Sequence, residues 1–193
     1  MSDTSAAPDP RRTFGPSALA TPANAVTLLR VLVTPVLIAL IVAWGASWET
    51  MVIWGLLSFT DGVDGWIARR QGTTRSGAFL DPMADKVVVL GALVALVAKH
   101  IVVWVPVALI AAREVWMSAY RSVVGRRGVS IPARRSAKIK TLAQDLAIGL
   151  CLIPPLAGHP LVLAIGIWIA TVLTIVTGVQ YLVDGRRAAH RGA

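Results

Sequence analysis

Ser58-Phe59-Thr60-Asp61-Gly62-Val63-Asp64-Gly65-Trp66-Ile67-Ala68-Arg69-Arg70, then Gly77-Ala78-Phe79-Leu80-Asp81-Pro82-Met83-Ala84-Asp85-Lys86 beyond a polar turn, sets four aspartates into a chain otherwise suited to lipid. The chain has 193 residues, of which 55% are hydrophobic and only 10 are acidic. An ionised carboxylate inside or beside a bilayer is costly unless something compensates it. A divalent cation can compensate several at once, because hard cations favour oxygen ligands. The cluster therefore points to chemistry.

Outward from this stretch, long apolar runs extend over Ala25–Trp44, Thr50–Ala68, Phe79–Ala98, Ile101–Val124, Ile139–Leu156 and Leu161–Val183. Each is near the ~20 residues that cross a bilayer core. Turn chemistry separates them, at Gly45-Ala46-Ser47, Gln71 to Thr74, Lys99-His100, Gly125 to Arg135 and Pro154 to Pro160. This pattern predicts an all-α integral membrane protein with six transmembrane helices in one domain, residues 23–184. Residues 1–22 read as a flexible or membrane-surface tail, and residues 185–193 as a basic cytosolic tail. With both termini cytosolic, the internal segments hold Arg11, Arg12, Arg70, Arg75, Arg126, Arg127, Arg134, Arg135, Arg186, Arg187 and Arg191, against Lys99 alone outside. That asymmetry follows the positive-inside rule and predicts a multi-pass protein of the cell membrane. The formal charge of +9 then reflects topology and attraction to anionic headgroups. Nucleic-acid binding is not expected, since the basic residues flank spans instead of forming one basic domain. Cys151 is the single cysteine, so no intrachain disulfide forms, and the three histidines are scattered.

Asp61 and Asp64 are three residues apart, Asp81 and Asp85 four, so each pair shares a helix face. Folding the chain about Thr73 sets Asp64 level with Asp81 and Asp61 level with Asp85. Asp61 then lies roughly 13 Å below Arg70, at ~1.5 Å of rise per residue. The expected site is recessed but open to the cytosol. Gly65 and Ala68 keep the adjoining surface low, and Arg69 and Thr74 offer donors for phosphate oxygens. Four carboxylates there can hold one or two ions, Mg²⁺ or Mn²⁺, able to polarise a phosphoryl group. The plainer alternative is that the aspartates cap helices or pair with Arg69, Lys86 and Arg113. The alternating order of an EF-hand is absent.

These residues resemble the signature of the CDP-alcohol phosphatidyltransferases, Asp-x-x-Asp-Gly-x-x-Ala-Arg, seven or eight residues, then Gly-x-x-x-Asp-x-x-x-Asp. The fixed positions fall on Asp61, Asp64, Gly65, Ala68, Arg69, Gly77, Asp81 and Asp85. The resemblance implies a six-helix homodimer with a cytosol-facing site. It implies that Asp61, Asp64, Asp81 and Asp85 ligate two divalent ions, that Gly65, Arg69 and Thr74 contact the CDP moiety, and that Asp85 is the general base. Asn24-Ala25-Val26-Thr27-Leu28-Leu29-Arg30, Leu80 to Lys86, Arg113-Glu114 with Arg121, and Lys138-Ile139-Lys140-Thr141 are most similar to the phosphatidylglycerophosphate synthase branch. That similarity adds Asn24 and Thr27 to the CDP-lipid contacts. It implies CDP-diacylglycerol as donor and sn-glycerol 3-phosphate as acceptor, with phosphatidylglycerol or inositol phosphate as alternative acceptors.

The charge pattern also favours an anionic acceptor. Arg113 lies deep in the fourth run, and Lys138 and Lys140 begin the fifth at the same cytosolic end. With Arg121 they form a cationic wall suited to a second phosphate. Arg126, Arg127 and Arg135 read as topological anchors. Glu114 and Asp145 read as structural partners of these cations. The tryptophans read mostly as belt anchors at span ends, and Pro35 and Pro106 as kinks. A membrane prenyltransferase would set its aspartate motifs farther apart in a longer chain. A divalent-cation transporter would have no use for the Gly65/Ala68/Arg69 clearing.

Overall fold

The computed structural model describes the backbone of residues 22–71, 77–126 and 135–191, with side chains outside 22–24, 63–71, 77–82, 124–126, 135–137 and 185–191. The described residues are helical almost throughout. They form α1 (Pro22–Trp44), α2 (Trp48–Gln71), α3 (Gly77–Ala98), α4 (Trp104–Arg126), α5 (Arg135–Leu152) and α6 (Pro160–Arg191), with a single 3₁₀ turn at Pro154–Leu156.

Local chemistry sets the helix ends. α1 stops where Gly45 turns to φ +71°, its N–H donating to the Ile41 carbonyl at 2.8 Å. Ser47 then opens α2 with a reciprocal cap: Thr50 N–H donates to Ser47 Oγ at 3.2 Å, and Ser47 N–H to Thr50 Oγ1 at 3.1 Å. α3 closes through His100 at φ 58°, with Ile101 N–H reaching back to the Leu96 carbonyl at 3.0 Å. Lys99 Nζ donates to the Ala43 carbonyl at 2.9 Å, placing a cation at the negative end of α1. Pro154 and Pro155 end the fifth helix at Leu152, short of the apolar run's limit, because the residue before a proline leaves the α region. α6 starts on Pro160 and continues to Arg191, well beyond the apolar limit at Val183.

α1 packs against both α2 and α3, α5 against α2, α3 and α6, and α6 against α4. Leu37, Ile41, Leu93, Leu96, Ile110, Ile148, Leu152 and Ile167 are fully buried between them. The interior also holds Thr27, Arg30, Thr34, Glu114, Lys140, Gln144, Thr171, Thr174 and Thr177, while Leu29, Leu32, Val36, Phe59, Trp116, Leu161 and Val172 are exposed. In water this distribution would be unfavourable; it is the arrangement expected of a bundle solvated by lipid. Among the described residues two helices are long and apolar enough to cross a membrane, Ala25–Trp44 in α1 and Pro160–Asp184 in α6. The other four carry most of the charged side chains discussed below.

Candidate active site

A small cavity opens where α1, α2, α3 and α5 meet. It is lined by Arg30, by Trp54, Leu57, Ser58 and Asp61, by Asp85, Val88 and Val89, and by Asp145. Its volume is about 10 Å³, the scale of a single water or ion. Arg30 is 2% exposed and donates from Nη1 to Asp61 Oδ1, whose own side chain is 42% exposed. One end of the pair is thus sealed in the core and the other is accessible. Thr34 donates to the Arg30 carbonyl at 2.7 Å. Trp54 Nε1 donates to the Asp145 carbonyl at 3.1 Å, tying α2 to α5 beside the cavity.

The register deduced from spacing places Asp61 and Asp85 together, and both line this cavity. Asp64 follows Asp61 by one turn on α2, and Asp81 precedes Asp85 by one turn on α3. Their side chains lie outside the described residues, as do those of Gly65 and Arg69 on α2 and Asn24 at the start of α1. Thr74 lies outside the described residues altogether. Thr27 is buried on α1, one turn before Arg30. Asp145 differs from its expected role: it lines the cavity with Asp61 and Asp85, and no ion pair joins it to Arg113 or Lys138 among the described residues. α5 turns that residue inward because it packs against both α2 and α3. Among the described residues no three His, Cys, Asp or Glu side chains close on one point. Asp61 and Asp85 nevertheless present hard oxygen donors to a common ion-sized space, a donor chemistry that fits Mg²⁺ or Mn²⁺.

A second polar cluster lies between α3, α4, α5 and α6. Glu114 Oε1 accepts from Arg113 Nη1 at 3.0 Å and from Lys140 Nζ at 2.5 Å. Lys86 Nζ donates to Ser118 Oγ, which donates to the Glu114 carbonyl at 2.7 Å. Two cations thus share one carboxylate, with Lys86 close by through Ser118, and the cluster keeps an excess of positive charge. Arg113 Nη2 also donates to Thr177 Oγ1 at 3.3 Å. Arg121 lies with its guanidinium carbon 5.1 Å from the Tyr181 ring centroid, within cation–π range. Of the residues expected to hold acceptor phosphate, Arg113 and Lys140 are brought together by Glu114. Lys138 is on the exposed side of α5, since two residues of helix rotate a side chain by roughly 200°. Ser118, Thr177 and Tyr181 drew no attention in the sequence. Arg30 did so only as part of the Asn24-to-Arg30 motif, although an arginine inside so apolar a run is itself a signal.

The model of the CDP-alcohol phosphatidyltransferase family matches residues 20–178, taking in the cavity, the Arg113–Glu114–Lys140 cluster, α1 to α5 and α6 as far as Gly178. The chain belongs to the CDP-alcohol phosphatidyltransferase family. A Mycobacterium tuberculosis (strain H37Rv) protein named "Probable phosphatidylglycerophosphate synthase" is 39% identical over 190 residues, covering 95% of this chain and 90% of the relative. A CDP-diacylglycerol–glycerol-3-phosphate 3-phosphatidyltransferase of Pseudomonas fluorescens is 38% identical over 175 residues, covering 82% of this chain and 87% of its own. One of the same name from Sodalis glossinidius is 43% identical over 145 residues, covering 70% and 77%. This member of the phosphatidyltransferase family is an enzyme, and its two polar clusters are where its chemistry is to be sought.

Proposed function

We propose that the chain moves the phosphatidyl group of CDP-diacylglycerol onto sn-glycerol 3-phosphate, giving phosphatidylglycerophosphate and CMP. Family membership and the printed names of the relatives support the reaction. The observation that carries the reading is a carboxylate-lined cavity, with Asp61 and Asp85 supplied by separate helices, inside a bundle whose outer surface is apolar.

In this reading Asp61, Asp64, Asp81 and Asp85 hold two Mg²⁺ or Mn²⁺ ions. When bound, the ions supply Lewis-acid polarisation of the phosphoryl oxygens. Asn24, Thr27, Gly65, Arg69 and Thr74 bind the CDP end of the donor lipid. Arg113, Arg121, Lys138 and Lys140 hold the acceptor phosphate, Lys138 from the exposed side of α5. Asp85 takes the proton of the acceptor hydroxyl. That oxygen attacks the β-phosphorus of the donor, the bond from phosphorus to the CMP oxygen breaks, and CMP leaves with the electron pair. Arg30 keeps Asp61 oriented while its own charge is neutralised.

Six membrane spans with both termini cytosolic complete the reading, as does a homodimer in the cell membrane. The topology is supported by the meeting of the short turns at 45–47 and 99–101 through Lys99, whereas the homodimer rests on the family resemblance alone. The 99–103 turn also shares an apolar pocket with the start of α6, and the Arg-rich connections fall on the alternate side of the chain path.

The acceptor is tested by offering purified protein CDP-diacylglycerol and Mg²⁺ with glycerol 3-phosphate, inositol phosphate or phosphatidylglycerol, each alone. Phosphatidylglycerophosphate from glycerol 3-phosphate only is the expected result. Turnover confined to another acceptor would keep the mechanism and overturn the substrate.

A further inference from the structure

We propose that α6 is the positioning element of the acceptor site, with Gly178 and Thr177 seating Arg113 and Tyr181 seating Arg121. The inference rests on the reading of Arg113 and Arg121 as acceptor-phosphate ligands.

The stem of Arg113 lies directly on the backbone of α6. A Cβ added at Gly178 would stand 2.9 Å from Arg113 Nε, too close to be accommodated without movement, and in van der Waals contact with its Cγ at 3.4 Å. Arg113 Nε is buried and has no hydrogen-bond partner among the described residues. The side chain is therefore held at this point by contact with bare backbone, not by a polar bond. Its two terminal nitrogens are fixed from opposite sides: Nη1 donates to Glu114 on α4 at 3.0 Å, and Nη2 to Thr177 on α6 at 3.3 Å. Thr177 is prepared as an acceptor, because its own hydroxyl lies 2.8 Å from the Leu173 carbonyl and 3.1 Å from that of Thr174. The hydroxyl proton points back along α6, and a lone pair is left for Arg113.

Tyr181 lies four residues after Thr177 and so shares its helix face. Its ring carries Arg121 at 5.1 Å and is met edge-on by Tyr120, with centroids 6.2 Å apart and planes at 83°. Two cations of α4, the recessed Arg113 and the exposed Arg121, are thus both set by one stripe of α6. A side chain at 178 would move the Arg113 guanidinium without touching Asp61 or Asp85, which line a separate cavity. The expected consequence is a defect confined to the acceptor.

The test is steady-state CMP release by the full chain in lipid–detergent micelles with Mg²⁺, varying CDP-diacylglycerol and glycerol 3-phosphate separately. Gly178→Ala, Thr177→Val and Tyr181→Leu should each raise the KM for glycerol 3-phosphate about tenfold while the KM for CDP-diacylglycerol stays within about twofold. Thr177→Ser keeps the acceptor oxygen and Tyr181→Phe keeps the ring, so both should behave as the unmodified chain. An unchanged acceptor KM in Gly178→Ala would overturn the proposal. So would both KM values rising together with a lowered melting temperature, which is the mark of simple packing. If Gly178→Ala does not fold, the contrast between Thr177→Val and Thr177→Ser decides. Arg113→Ala separates the two levels. A raised acceptor KM there, with Gly178→Ala normal, defeats the seat and spares the reading; no change in Arg113→Ala defeats both.

Discussion

At the scale of single residues, two sets of ion pairs organise the interior, Arg30–Asp61 and Arg113–Glu114–Lys140. Arg30 is almost fully buried and bound to Asp61, so it holds that carboxylate at the cavity wall. Arg30→Met should lower both CMP-release activity and stability, the latter by about 1.5–3 kcal/mol of lost charge-assisted hydrogen bonding, read as a lower melting temperature. Glu114 bridges Arg113 and Lys140, with side-chain exposures of 17% and 10%. Glu114→Ala would leave two neighbouring cations without their shared counter-charge, at a cost of about 3 kcal/mol or more. Glu114→Gln keeps an acceptor oxygen and should lose less; thermal melting in detergent ranks the two. That Asp61 and Asp85 meet at one cavity was legible in the sequence, because helical spacing alone brings them level. The Arg30–Asp61 pair and the inward turn of Asp145 were not. Both depend on which helix packs against which, and periodicity along one helix carries no information about that.

Helix packing brings its own constraints. α1 and α3 approach closely at Gly91, where an added Cβ would come within 2.8 Å of Ile38 Cδ1. Because that atom is the flexible end of its side chain, a small addition can be absorbed and a branched one cannot. Gly91→Val should cost about 1–3 kcal/mol through overpacking. Ile38→Ala in the same chain should recover part of the loss, measured as the melting temperatures of the single and double variants. The apolar runs located all six helices, since each run is bounded by turn residues. Their ends were less legible. α5 stops early at the Pro154-Pro155 pair. α6 runs past the apolar limit to Arg191 because Asp184 to His190 holds no proline and the weak helix former Gly185 is followed by the stronger formers Arg186 to Ala189. Thr177, Gly178 and Tyr181 were invisible beforehand for a related reason: they act on side chains of a different helix, more than fifty residues away in the chain.

For the whole molecule, leucines, valines and tryptophans cover the outside, while the interior combines an apolar core with buried threonines and charges. Such a surface needs lipid, and it leaves the buried, free Cys151 as the only native thiol. Introduced cysteines therefore report topology cleanly. In intact cells a membrane-impermeant maleimide should label Ala46→Cys and Ala157→Cys, and should reach Ser130→Cys only after permeabilisation. Labelling of Ser130→Cys from outside would reverse the proposed orientation. The most direct test of the whole proposal is the stoichiometry of the reaction in purified protein supplied with CDP-diacylglycerol and glycerol 3-phosphate. One CMP should appear for each phosphatidylglycerophosphate, turnover should stop with a chelator and resume with Mg²⁺ or Mn²⁺, and folded Asp85→Asn should form neither product. CMP release that continues in Asp85→Asn, or that needs no acceptor, would contradict transfer at the Asp61–Asp85 cavity.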